Sequence, residues 1–200
     1  MTIEITVYKF SELDDRAKER AMDNWRDGHL DYDWWESVYD DADHVATILG
    51  IELTRKGKRT PAIWFNGFYH QGSGSSFEGS YAYAKGAVKA IKEYAPKDEA
   101  LHRIARDLQD VQRKNFYGLR ASITASNRET SICVNVENVQ HIYGDASEEA
   151  EEAITEAMND FNHWVFERLE REYEYLMSDE AIAESIEANE ARFEEDGTLA

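Results

Sequence analysis

Residues 118–137, GLRASITASNRETSICVNVE, decide the fold class. Leu119, Ala121 and Ile123 alternate with polar residues, Asn127-Arg128 turns the chain, and Ile132, Val134 and Val136 alternate again. That is the period of a β-hairpin with one apolar face. Helical periodicity flanks it on both sides. Upstream, Leu101, Ile104, Leu108 and Val111 share one face of a helix that Asp98 can cap, and Phe116 extends the stripe. Downstream, everything after Asp145 reads as helix. Ile154, Met158, Phe161, Val165, Leu169, Tyr173 and Leu176 keep a three-and-four spacing over roughly 30 residues, about 45 Å. Ser178-Asp179 starts a last helix carrying Ile182, Ile186 and Phe193.

The N-terminal half extends the same alternation of elements. Ile3-Glu4-Ile5-Thr6-Val7-Tyr8 has the period of a half-buried strand. Ser11-x-x-Asp14 resembles a capping box, ahead of a helix with Leu13, Ala17, Ala21 and Trp25 on one face. A second helix spans about Asp33 to Leu49 and Gly50 closes it. Strands follow at Ile51 to Arg55 and Ala62 to Phe68, separated by the basic turn Lys56 to Pro61. The segment His70 to Gly79 is the most flexible by composition and leads into a strand at Ser80 to Tyr83. A short helix, Gly86 to Tyr94, stops before Pro96, because the residue preceding a proline is driven from helical geometry. Strands and helices in this order predict one α+β domain over residues 1–200: a mostly antiparallel sheet, helices packed on it, and long acidic C-terminal helices from about residue 145.

Apolar residues make up 42% of the chain and aromatic residues 12%, enough for a core and unlike a disordered acidic chain. No run reaches the roughly 20 apolar residues of a membrane span, and the start Met1-Thr2-Ile3-Glu4 lacks a signal core, so a cytoplasmic location is expected. The single cysteine, Cys133, cannot form an internal disulfide and is expected to be a small core residue on its strand.

Charge is the chain's strongest compositional signal. The total is −19, distributed as −9 over residues 1–54, +6 over 55–144 and −16 over 145–200, where 19 acids face 3 bases. A surface of that sign repels nucleic acid and anionic lipid, so direct DNA, RNA or membrane binding is not expected and basic proteins are the natural partners. Carboxylates repeated along a rigid helix can imitate the charge of a nucleic-acid backbone and occupy a basic groove meant for one. The candidate contacts are Glu148, Glu149, Glu151, Glu152, Glu156 and Asp160, followed by Glu167, Glu170 and Glu174. The plain alternative is a solvated helix face that serves solubility.

A second candidate lies in His70, Gln71, Gly72, Ser73, Gly74, Ser75 and Glu78. Successive amides of a glycine-rich loop can cradle phosphate, yet no Lys follows and the next element reads as a strand, unlike GxxxxGK[ST]. No GxSxG elbow is present; His70 and Glu78 could serve as base and orienting acid, though nothing in the loop itself fixes them. The six histidines include no HxxxH or HExxH pair, no CxxC occurs, and Glu148-Glu149 with Glu151-Glu152 lack EF-hand spacing, so neither a metal nor another cofactor is expected. Trp34-Trp35 and the aromatics between Tyr69 and Tyr83 read as core, with interface anchors the alternative.

Three stretches carry a family resemblance: Tyr8-x-Phe10-x-Glu12-Leu13-x-x-x-Ala17-Lys18, GFYHQGSGSSFEGSYAY at 67–83, and LEREYEYLMSDEAI at 169–182. Together they resemble an uncharacterised family carried by bacteriophages and prophages, whose members are sometimes labelled antitoxins of toxin–antitoxin stability systems. The resemblance implies a phage origin and no catalytic residue; the family pattern carries Asp where this chain has Ser73, so no acidic role transfers to that position. The expectation is a protein-binding regulator rather than an enzyme: an inhibitor, of anti-CRISPR or anti-restriction type, of a basic nucleic-acid-handling host factor. The alternatives are an antitoxin covering a basic toxin, and a nucleotide- or metal-binding enzyme using loop 71–79. Homodimer formation is left open.

Overall fold

The alternation around residue 120 becomes a seven-residue strand pair, and the rest of the sheet grows from it. The computed structural model describes residues 6–57, 59–126, 130–140 and 144–200. Along the chain come β1 (Tyr8–Lys9), a 3-10 turn (Phe10–Glu12), α1 (Asp15–Arg26), α2 (Glu36–Leu49), β2 (Ile51–Leu53), β3 (Arg55–Lys56), β4 (Thr60–Pro61), β5 (Ile63–Phe65) and β6 (Ser75–Phe77). There follow β7 (Gly79–Ala82), α3 (Ala87–Tyr94), α4 (Glu99–Lys114), β8 (Leu119–Ala125), β9 (Ile132–Asn138), α5 (Glu148–Leu176), α6 (Asp179–Ala188) and β10 (Arg192–Phe193). All strand pairs among the described residues are antiparallel, which makes the fold α+β. The chain divides into two compact units, one of residues up to Trp35 together with Arg171–Ala200, the other Glu36–Glu170. No helix among the described residues is long and apolar enough to cross a membrane.

The larger unit is built on a sheet of order β2-β7-β8-β9. Its register aligns Ile51, Tyr81, Ala121 and Val136 across four strands, and all four are buried. The neighbouring row, Glu52, Ser80, Ser122 and Asn135, is exposed, so one face is core and the other wet. Cys133 on β9 pairs with Thr124 of β8 and is exposed, which corrects its expected burial. Gly50 ends α2 with φ +88, where a Cβ would meet the Ala82 carbonyl oxygen at 2.1 Å; only glycine allows that approach.

Asp98 caps α4 by accepting the Leu101 N–H at 3.1 Å, and Leu101, Ile104, Leu108 and Val111 are buried as the period requires. Gln112, fully buried on the same helix, serves as a polar clamp. Its amide nitrogen donates to the Leu119 carbonyl (2.8 Å) and to the Tyr81 hydroxyl (3.3 Å), and its oxygen accepts the Leu119 N–H (3.2 Å). Burial pushes the Tyr81 phenol up to about 12. Phe116 does not extend the core stripe: it is 80% exposed. The expected turn at Asn127-Arg128 lies outside the described residues.

In the smaller unit Asp14 caps α1 by accepting the Ala17 N–H at 2.8 Å, while Glu12 accepts the Lys9 N–H at 2.7 Å. The cap therefore belongs to Asp14 itself rather than to a Ser11–Asp14 box. Phe10, Leu13, Ala17 and Ala21 pack with Ile182, Ile186 and Phe193. Phe193 lies on β10 paired with Tyr8, so the C-terminal region is not helical throughout. Of the strand expected from Ile3, residues 3–5 lie outside the described range, and the observed strand begins at Tyr8.

Candidate functional site

Helix α5 begins where the Ser147 hydroxyl oxygen accepts the Ala150 N–H at 3.3 Å. Glu148, Glu149 and Glu151 stand in its first turn, where carboxylates face the positive end of the helix dipole. Ala150, Ile154, Ala157, Met158, Phe161, Trp164, Val165 and Leu169 are buried. Because they recur at three-and-four spacing, the positions between them must point outward.

Those outward positions carry the acids. Glu148, Glu151, Glu152 and Glu156 are exposed and form no ion pair among the described residues. With Thr155, Asn159 and Asp160 they line a shallow depression that contains no cationic side chain. From Glu148 to Asp160 this face extends about 18 Å at 1.5 Å per residue. Glu149 is paired with Lys114 at 3.2 Å and Asp160 with Arg103 at 3.0 Å, so α4 partly neutralises one edge. Glu167 stands 3.4 Å from the His163 Nε2, Glu170 is half-buried, and Glu174, in the last turns of the helix, is exposed. On the opposite flank Arg168 reaches Asp41 at 3.5 Å, and the Tyr94 hydroxyl donates to the same carboxylate. That hydrogen bond raises the Tyr94 phenol above its ordinary value. The expected contacts are thus split: four carboxylates without an ion pair on one short face, and two held by neighbours across a cleft.

The glycine–serine block divides differently. His70 to Ser73 form an exposed turn in which the Ser73 N–H donates to the His70 carbonyl (3.1 Å) and the His70 N–H donates to the Ser73 hydroxyl (3.2 Å). From Ser75 the chain is strand, and Ser75, Ser76 and Phe77 are fully buried, so the stretch read as flexible is core over these three residues. The Ser75 hydroxyl contacts the Asn162 carbonyl (3.0 Å) and its side-chain oxygen (3.1 Å), and the Asn162 amide returns a bond to the Ser75 carbonyl (2.8 Å). Gly74 lets the backbone pass Thr130, whose carbonyl oxygen a Cβ would meet at 2.5 Å. No ion pair joins His70 to Glu78 among the described residues. The block therefore brings Ser75 to α5 and leaves Gln71, Gly72 and Ser73 in a turn.

Two features escaped the sequence reading. Arg103 and Lys114 on α4 reach across to α5, a pairing no local spacing announces. Phe116 and Tyr117 adopt φ +52 and +60, values rare for aromatic residues, and only the flanking Asn115 and Gly118 hint at a turn there.

Residues 34–179 match the family described as Domain of unknown function (DUF8835), and the chain belongs to that family. No curated protein and no solved structure matches it. The family's description names no activity, partner or source.

Proposed function

We propose that this member of the family is an acidic, protein-binding inhibitor that sets the outward face of α5 against a basic, nucleic-acid-handling host protein. The observation that carries the reading is the row Glu148, Glu151, Glu152 and Glu156, exposed on one rigid helix and free of ion pairs with described residues. Rigidity matters because the carboxylates need no ordering on contact, and their like sign draws a cationic surface from a distance. A partner that evolved to hold phosphates offers such a surface. The resemblance of the glycine–serine block and of the 169–182 stretch to phage-borne proteins supports an anti-defence role, of anti-CRISPR or anti-restriction type.

The test is capture from a bacterial lysate with the wild-type chain and with Glu148, Glu151, Glu152 and Glu156 all changed to Lys. The captured partner is then assayed for nucleic-acid binding. Reversing four contacts weakens capture by at least about tenfold, and raising the salt toward 1 M, where the screening length is about 3 Å, weakens the wild type in the same direction. The wild-type chain also competes with nucleic acid for the partner. Capture unchanged by the four substitutions overturns the proposal. A captured toxin, with growth rescued by co-expression, moves the reading to an antitoxin using the same face.

A further inference from the structure

We infer that the outer edge of β9 pairs with the same edge of a second copy of this chain, antiparallel about Cys133, so that two four-stranded sheets join into one. The hydrogen bonds of β9 show which of its groups face outward. The Val139 N–H donates to the Gly118 carbonyl at 3.0 Å on the β8 side, where the Ser131 carbonyl also accepts the Ser126 N–H at 2.8 Å. The Asn138 N–H turns the other way, to the Gly144 carbonyl at 2.8 Å. Backbone groups alternate along a strand, so those of Ile132 and Val134 face outward too, and no hydrogen bond from the described residues serves them there. Proteins blunt such edges with brevity, charge, proline, a bulge or a cover. β9 runs seven residues, its register with β8 is unbroken, and Ser131 to Val136 contains neither charge nor proline. A cover reaches only its far end, where Glu137 bridges Asp145.

The open length selects both occupant and register. It runs from Thr130, beside the hairpin connection, to Val136, next to the bridge, and Cys133 is its midpoint. A two-fold axis at that point pairs the whole open edge with itself: Ile132 with Val134 of the second copy, Ser131 with Asn135, Thr130 with Val136. An axis one residue along, at Val134, sets Thr130 against Asn138, whose outer side Gly144 already occupies. In the register about Cys133, β-branched residues meet on the core face, where Ile132 and Val134 are only half-buried, and polar residues meet on the wet face. Self-pairing closes both edges at once, as an interface made of one patch used twice does.

Charge permits the approach. The chain carries −19 overall, but residues 55–144 carry +6, and beside the open edge Arg120 stands opposite Glu137. Two copies therefore meet through their least acidic part, and salt that screens the remaining repulsion strengthens the pair. The contact proposed for α5 has the opposite salt dependence, and the pairing of β9 does not rest on it. In this register Cys133 faces its own copy as a non-hydrogen-bonded pair, with Cα atoms about 4.5 Å apart. Disulfides span about 4.4–6.8 Å between Cα atoms, so the two exposed thiols serve as a reporter of the pairing.

The experiment is sedimentation velocity on the full chain under reducing conditions, across roughly two decades of concentration. A monomer–dimer equilibrium is expected, with a dimer fraction that rises as salt is added. Diamide, which takes one hydrogen from each thiol, is then expected to lock that dimer through Cys133 once the reductant is removed. Cys133→Ser keeps the dimer and loses the cross-link. Cys133→Lys, at an exposed position, sets two lysines face to face and weakens the dimer at least about fivefold. Val134→Pro removes an outward N–H at an edge position that tolerates proline, and it abolishes the dimer while the monomer still unfolds cooperatively. A chain that stays monomeric overturns the inference, and so does a dimer that Cys133→Lys leaves unweakened or that diamide fails to cross-link. A dimer lost in Cys133→Ser rests on the thiol alone and overturns the strand pairing. A monomeric chain that captures a bacterial protein only while Val134 is intact gives the edge to that protein's strand, and this also overturns the inference.

Discussion

Two stretches of this chain hold polar side chains in opposite ways. On the outward face of α5, Glu148, Glu152 and Glu156 stand in solvent without an ion pair among the described residues, so their charge is available to another molecule. In the glycine–serine block Ser75 is buried and exchanges hydrogen bonds with Asn162 of α5, so its polarity is spent inside. The same helix serves both. Its inner side takes up a strand's buried hydroxyl, and its outer side keeps carboxylates apart from the protein's own cations. Polar residues thus stabilise where they are satisfied and recognise where they are not.

The sharpest way to test that division is Asn162→Ala. It removes the side-chain amide that serves the buried Ser75 carbonyl and the side-chain oxygen near the Ser75 hydroxyl, which keeps only the Asn162 backbone carbonyl as acceptor, at a cost of about 2 kcal/mol. Urea unfolding checks it. Ser73→Ala, two residues away in the exposed turn, is expected to stay within about 0.5 kcal/mol. Equal effects at the two positions break the comparison.

A second, smaller effect comes from the buried phenol. Burial moves Tyr81 from 10.0 to about 12, so the unfolded chain releases this proton at lower pH than the folded one. The stability Tyr81 contributes is complete below pH 10 and is lost as pH rises through about 12. Tyr39 is raised in the same sense by burial. Unfolding measured stepwise across that window shows the loss, and Tyr81→Phe flattens it while Gln112 keeps both of its bonds to Leu119.

Long periodic elements were legible because many residues vote for one face. The buried stripes of α4 and α5, the Asp98 cap and the β8–β9 hairpin all follow from spacing alone. Short elements were not. Ser75 to Phe77 contains two serines among glycines, and only the distant Asn162 makes it core. Cys133 lies on a strand as expected, but at the sheet's edge strand, on the wet face, where its neighbours leave it exposed. Phe116 continues the helical period, yet Asn115 ends α4 and the following turn points the ring outward. The acidic row on α5 was legible as a row; its partial neutralisation by Arg103 and Lys114 required the approach of α4, which sequence spacing does not encode.

The smallest effect bears most directly on function. Glu148, Glu152 and Glu156 stand four residues apart, and like charges at that spacing destabilise a helix by about 0.2–0.5 kcal/mol per pair. Glu152→Lys turns two repulsions into two attractions, with Glu148 in the more favourable position N-terminal to the lysine. At low salt the chain is expected to gain about 0.5–1 kcal/mol, or about 2–3 °C in Tm, and the gain fades as salt screens exposed charges. A face kept for solubility loses nothing by the exchange. A face kept for binding becomes more stable and less competent together, with capture of the basic partner weakened by about threefold. Calorimetry beside capture on the same variant separates the two: added stability with undiminished capture returns the acidic row to an ordinary solvated surface.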